Sequence, residues 1–464
     1  GAYLRVPPSA GLGAFLLVCC YHGLMFAVLA GVSRAGGLFL SRRLGCTEGA
    51  ALLLTAMPAA AAVENLFPMV FPVYFANTQY FHLPAVQILE FTGPAGLAWL
   101  LTGFNASLYL LAAALARRGG VPPASRAAAV FAGFLLIAGA NEGFGRRRMA
   151  GVDAAVRERL SAGRTLKVSI LQGSAPVDNA PGELNAPGLE IYRRLAGEAA
   201  RQDAPALVVW PESVYGRRVI YRAGGERGGA EFAGDFGGLF SGDIGPGVSM
   251  LLGSEGQGQA GARAGGPVYN VAFTVDADRR LLGLLRKRHL FPFGEFMPFG
   301  DRLPWLYRLI PGVGRLSPGG EPEPLPAGGA RAGVLICYED LYTAAPRAFA
   351  AKGADFLVNM TNELRFGYSV APRQHLWFGA LRAIENRKFL LRAVNTGVSA
   401  VIDPCGRRVA SLGVKERGRL TREIPLMPGP TFYSRHGRLL GHSGLLALAG
   451  LLLIVFLIPR RDPA

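Results

Sequence analysis

The sequence predicts two parts of different architecture: a membrane helical bundle, and an α/β domain lying outside the membrane. Three observations carry this. Hydrophobic residues make up 50% of the 464-residue chain, more than one soluble domain needs. Long apolar stretches fill residues 1–145 and return at 439–458. Across residues 160–430, short apolar runs alternate with longer mixed ones, which reads as strands interleaved with helices in layers.

Net charge is +17, from 49 Lys and Arg against 32 Asp and Glu. No RNA-binding motif or concentrated basic helix accompanies that charge, so nucleic acid is not an expected partner. The basic residues sit beside apolar segments, as in membrane proteins. Of the five cysteines, Cys19 and Cys20 fall in an apolar run, and Cys46, Cys337 and Cys405 are scattered. No Cys/His ligand spacing occurs, so neither a metal nor another cofactor is expected, and the odd count argues against a disulfide framework.

Residues 11–33 form the first candidate span, too long for a signal-peptide core and without a small-residue cleavage pattern after it. Residues 49–71 form the second, with Pro58 as a kink. Glu64 within it either faces a partner or a wet cavity, or lies at the interface. The aromatic-rich stretch 73–91 reads as a surface or re-entrant loop. Residues 93–116 make the third span. Residues 127–140 make a short fourth, which needs 141–144 to reach the far interface, with Arg146–Arg148 marking its exit. The last span is 439–458. Arginine-bearing connections at 34–43 and 117–126, with the tail at Arg460, are expected on the cytoplasmic side. Residue 1 and the segment 145–438 are then outside, although Arg146–Arg148 run against that rule. An outside start that is not Met suggests that helices are missing before residue 1.

In the α/β part, residues 166–171, 206–210, 248–253, 268–275, 333–336, 355–360 and 398–402 read as strands. Residues 191–201, 344–352 and 374–387 read as helices, and much of the Gly-rich 224–266 as surface loops.

Three polar residues stand where strands end: Glu212 after APALVVWP, Lys287 after LLGLLR, and Cys337 after the apolar run 332–336. A thiol at the end of a buried strand is held rigidly yet can be reached. An acid can take its proton, and an ammonium can stabilise the oxyanion of a tetrahedral intermediate. Singly, each has a plainer explanation: Glu212 a turn cap, Lys287 part of a solvated basic run, Cys337 a buried structural thiol. Together they suit acyl transfer.

The stretches VVWPESV, LRKRHLFPFGEFMPF and ICYED, with residues 374–406 (QHLWFGALRAIENRKFLLRAVNTGVSAVIDPCG), resemble the nitrilase, or carbon-nitrogen hydrolase, superfamily. More closely they resemble its apolipoprotein N-acyltransferase branch, over most of residues 165–435. Glu64, Phe67 and Pro68 extend the likeness weakly into the membrane part. The resemblance implies an α-β-β-α sandwich facing the periplasm of a bacterial inner membrane. It implies Glu212 as general base, Lys287 as oxyanion stabiliser and Cys337 as nucleophile. Glu295 would orient Lys287, Tyr338 and Glu339 would support the site, and the Tyr338 N–H would help bind the oxyanion. The implied reaction moves a fatty acyl chain from a phospholipid, through a Cys337 thioester, to the α-amine of a diacylglyceryl-modified lipoprotein cysteine. A membrane-tethered amidase, in which water takes the acyl group, is the alternative, and a silent lipid-binding protein on the same fold a third. The family's Thr-Asn-Asp stretch reads Thr361-Asn362-Glu363-Leu364-Arg365-Phe366-Gly367 here, with Arg365 in place of a Trp. Asn362, Glu363 and Arg365 are therefore the candidate substrate contacts. The family carries about seven helices before the soluble domain, and four are counted here.

Overall fold

The computed structural model describes residues 8–175, 186–215, 218–223, 230–232, 248–259, 266–310 and 312–457. The chain divides into two compact units, one mainly Val152–Thr431, the other Ser9–Gly151 together with the segment from Phe432 onward. The arginines at 460 and 461 lie outside the described residues, as do large parts of the Gly-rich 224–266 segment.

The helical unit begins with α1 (Pro8–Leu44), α2 (Glu48–Leu66), α3 (Leu89–Leu115) and α4 (Ala124–Ser161). Each is long and apolar enough to cross a membrane. The closing helices Phe432–Gly441 and Ser443–Leu457, bent by 46°, count as a fifth span if taken as one. Thr47 caps α2 by accepting the Ala50 N–H. A Cβ on Gly444 would lie 2.3 Å from the Pro58 carbonyl oxygen, so the absence of a side chain lets the last helix meet the α2 backbone. The α3 chain kinks at Gly93, whose φ is 59°. Among the described residues, two carboxylates are buried in this unit: Glu90 pairs with Arg148, and Glu64 accepts the Phe75 N–H.

Two expectations change here. Residues 34–43 are the last turns of α1, where a connecting loop was expected. Gly36 and Gly37 pack against Thr55 and Leu52 of α2, and this contact carries the helix past its arginines. Likewise the short fourth span is the first part of a 38-residue helix that runs through Arg146–Arg148. A charged turn need not end a helix, because Arg has high helix propensity and Glu142 pairs with Arg146 one turn on.

The α/β unit holds two sheets. The first contains β1 (Thr165–Gln172), β2 (Leu207–Val209), β3 (Val219–Ala223), β4 (Ala230–Phe232), β5 (Ser249–Gly258), β6 (Val268–Val275) and β7 (Leu281–Arg286). The second contains β8 (Leu325–Ala327), β9 (Ala330–Ile336), β10 (Phe356–Thr361), β11 (Leu390–Val394), β12 (Ala400–Ile402) and β13 (Arg408–Ser411). β14 (Gly418–Pro425) returns to the first sheet, antiparallel to β1. Helix α5 (Ala186–Glu198) links the parallel strands β1 and β2. Helices α6 (Ala344–Ala351) and α7 (Ala371–Asn386) link β9, β10 and β11, which run parallel.

These are crossover units, so each sheet carries helices on one face and meets the other sheet with its second face. β10 is buried along its whole length, as a central parallel strand covered on both sides must be. Leu171, Tyr192, Trp210, Met250, Leu252 and Phe273 form the core under α5. The result is a nitrilase-like α-β-β-α sandwich. Strand β5 continues through Gly-Ser-Glu-Gly-Gln-Gly, part of the stretch expected to be loop, because β6 pairs with it along that length.

Candidate active site

Glu212 lies three residues beyond the end of β2, and Lys287 and Cys337 lie immediately beyond β7 and β9. The sandwich brings all three together. Lys287 Nζ is 3.3 Å from Glu212 Oε1 and 2.9–3.0 Å from the two Glu295 oxygens, with its side chain fully buried. Its backbone is fixed too: its N–H donates to Asn270 O at 2.8 Å and its carbonyl accepts from Gly319 N at 2.7 Å. Each such ion pair is worth about 5 kcal/mol at an effective dielectric of about 20, against a desolvation cost of several kcal/mol per ion.

Burial alone would lower the Lys287 ammonium. Glu295 and Glu212 overcome this, with Cys337 and Glu339 adding, and hold it well above the usual lysine range. Burial likewise pushes the Glu212 carboxyl up, opposed by Lys287 and the Asn270 amide, and reinforced by the negative charge of Glu295. Burial and the Glu212 charge push the Cys337 thiol up, with Lys287 opposing. Burial thus favours the neutral form of the Cys337 thiol, next to the Glu212 carboxyl, whose proton affinity burial also raises.

The local backbone explains how the groups meet. Cys337 has φ 57°, in the left-handed region where a non-glycine residue is strained, and it opens a tight turn, Cys337–Leu341. Asn359 Nδ2 holds its carbonyl at 2.7 Å. Glu339 clamps the turn to the lysine segment: Oε2 accepts Ile336 N at 2.9 Å, and Oε1 accepts Arg288 N and His289 N at 2.9 and 3.0 Å. Tyr338 packs its ring 5.6 Å from Lys287 Nζ and donates its hydroxyl to Leu290 O at 2.6 Å. Glu295 Oε2 accepts Phe291 N at 2.7 Å. A Cβ on Gly253 would stand 2.9 Å from Glu212 Cα, so glycine lets β5 press against the turn that carries Glu212.

Of the candidate substrate contacts, Arg365 is exposed and Asn362 half-buried. Glu363 has a fully buried side chain, bonded to His375 and Arg392. Asn270, not among the expected site residues, joins the cluster. Its amide donates to Glu212 Oε1 at 2.8 Å and Glu295 Oε1 at 2.7 Å. In the sequence it stands as a polar residue amid the apolar β6 run, directly after Tyr269.

A family model for carbon-nitrogen hydrolases matches residues 168–427. An apolipoprotein N-acyltransferase of Geobacter metallireducens is 29% identical over 444 residues, covering 94% of this chain and 78% of that protein. One of Methylococcus capsulatus is 31% identical over 349 residues, covering 74% of this chain and 62% of that protein. The crystal structure of an amidase from Nesterenkonia sp. overlays 59% of this chain and 94% of its own at TM-score 0.41 and 21% identity. The family match runs from β1 through β14 and takes in Glu212, Lys287 and Cys337, over more than half of the sequence. The chain belongs to the carbon-nitrogen hydrolase family.

Proposed function

We propose that this protein is a membrane N-acyltransferase that moves a fatty acyl chain from a phospholipid to the α-amine of the diacylglyceryl-cysteine at a lipoprotein N-terminus. The observation that carries this reading is the buried Glu212–Lys287–Glu295 cluster acting on Cys337, in a chain that also has helices long enough to span a membrane. The names of the relatives agree with it.

In the first half-reaction Cys337 Sγ attacks the ester carbonyl of the donor while Glu212 takes the thiol proton. Lys287 and the Tyr338 N–H stabilise the oxyanion. As the intermediate collapses, the C–O bond breaks and Glu212 returns the proton to the departing lysophospholipid oxygen. In the second, the amine nitrogen attacks the thioester carbonyl and Glu212 accepts an amine proton. The C–S bond breaks, the amide is released, and the proton returns to sulfur. Glu295 and Asn270 hold Lys287 and Glu212 in place, and Glu339 keeps the Cys337 turn against the lysine segment. Asn362 and Arg365 are proposed acceptor or lipid contacts.

Both substrates are lipids. An acyl chain is held in a bilayer by about 0.8 kcal/mol per buried CH₂, so a tethered enzyme avoids extracting it. Residues 1–145 and 439–458 are the proposed anchor, residues 160–430 the catalytic domain, and the periplasmic face of the bacterial inner membrane its location. The test is incubation with phospholipid and a diacylglyceryl-cysteine peptide, with products read by mass. The expected product is the N-acylated peptide with lysophospholipid. Free fatty acid in its place identifies the membrane-tethered hydrolase, with water as the acceptor.

A further inference from the structure

Behind the nucleophile lies a second set of buried charges that the acyl-transfer chemistry does not touch. His375, on α7, bonds through Nδ1 to Glu363 at 2.6 Å and through Nε2 to Asp340 at 2.7 Å. Arg392, on β11, reaches Asp340 Oδ2 at 3.2 Å and also bonds Glu363 and the side-chain oxygen of Asn359. Arg392, Asp340 and Glu363 have fully buried side chains, and that of His375 is 9% exposed. Asp340 belongs to the same five-residue turn as Cys337, and Asn359 Nδ2 holds the Cys337 carbonyl. The quartet therefore grips the nucleophile turn at two points.

A neutral imidazole has one donor and one acceptor nitrogen, and its acceptor would face a carboxylate oxygen at close range. Both bonds to His375 are satisfied when both nitrogens carry protons. His375 and Arg392 as cations then balance Asp340 and Glu363 as anions, which is the arrangement that leaves no uncompensated charge in the core.

We propose that His375 is a positioning residue for Cys337. Held as an imidazolium between Asp340 and Glu363, it neutralises the charge quartet that fixes Asn359 and the strained turn bearing the thiol. The charged groups acting on the ring are Arg392, Asp340 and Glu363. Burial and Arg392 work against the imidazolium, and the two carboxylates prevail and raise its proton affinity. Its charge is thus kept below and through the ordinary histidine range and lost as pH rises through the raised value. The role rests on the nucleophile assignment of the proposed function, and its test is chosen to separate the two.

The experiment follows iodoacetamide labelling of Cys337, read by peptide mass mapping from pH 6 to 10, in the full chain and in His375→Gln. A second variant combines His375→Gln with Glu363→Gln, which removes one charge of each sign. A drop of roughly 10- to 100-fold in labelling rate is expected for the single variant, with most of it recovered in the double. ¹⁵N-histidine NMR at pH 7.5, with the His375 signal assigned by its loss in the double variant, should show both ring nitrogens protonated. Wild-type labelling by the single variant, a double variant as slow as the single, or a neutral His375 ring overturns the proposal. If the single variant does not fold, the NMR state and the labelling of the double variant decide. Labelling needs no acyl donor. A protein that shows these labelling effects but never forms a thioester faults the acyl-transfer reading and leaves the positioning role standing.

Discussion

Lys287 Nζ lies 3.3 Å from Glu212 Oε1, with the lysine side chain fully out of solvent. The proposed base and the proposed oxyanion stabiliser are thus one electrostatic unit. Replacing Lys287 by Met keeps the volume and leaves Glu212 and Glu295 without their cation. Breaking a buried pair from one side costs about 3–5 kcal/mol. A lowered melting temperature and loss of turnover are expected together, measured by thermal unfolding in detergent and by the peptide acylation assay.

The pH profile follows from the same unit. The proposed base, Glu212, can take a proton only when ionised, and burial raises its carboxyl. The acylation rate should therefore fall on acidification at a pH above the ordinary carboxylate range, as the base takes up a proton. Glu212→Gln removes that acid limb and slows thioester formation by about 10²- to 10⁴-fold, in line with loss of a general base. Single-turnover kinetics across pH checks both.

Asn270 separates the two carboxylates by donating to each. Asn270→Ala removes hydrogen bonds to charged groups, each worth roughly 1.5–3 kcal/mol. A fall of about 10- to 100-fold in acylation is expected, with Lys287 and Cys337 intact. Asn270→Asp adds a third carboxylate and should be worse than Ala. Rates of the two variants measured side by side test the order.

Gly397 faces the buried Glu363. A Cβ there would come within 1.7 Å of Glu363 Oε2, so Gly397→Ala must displace the carboxylate from His375 and Arg392. Overpacking of this kind costs about 1–3 kcal/mol. Chemical denaturation is expected to show the loss, and Cys337 labelling should slow with it.

Where sequence and structure agree, the reason is local. Cys337, Lys287 and Glu212 end or closely follow apolar runs, so the strand-end placement was legible from pattern alone. β11 was not read, because Arg392 interrupts its apolar run and a helix ends only a few residues before it. That arginine is tolerated inside a sheet by Asp340 and Glu363, which come from elsewhere in the chain. The same long-range pairing brings Asp340, Glu363 and His375 together, which local pattern does not show. α1 and α4 run on past their arginines, which hydropathy alone does not show.

The proposed reaction requires a covalent acyl group on Cys337. It is tested most directly by the intact mass of the protein after incubation with phospholipid, with and without hydroxylamine. The expected result is a gain of one acyl chain that maps to Cys337, is removed by hydroxylamine, and is absent from Cys337→Ala. An unmodified mass on folded protein with Cys337 reduced, or an adduct on another residue that persists in Cys337→Ala, contradicts it.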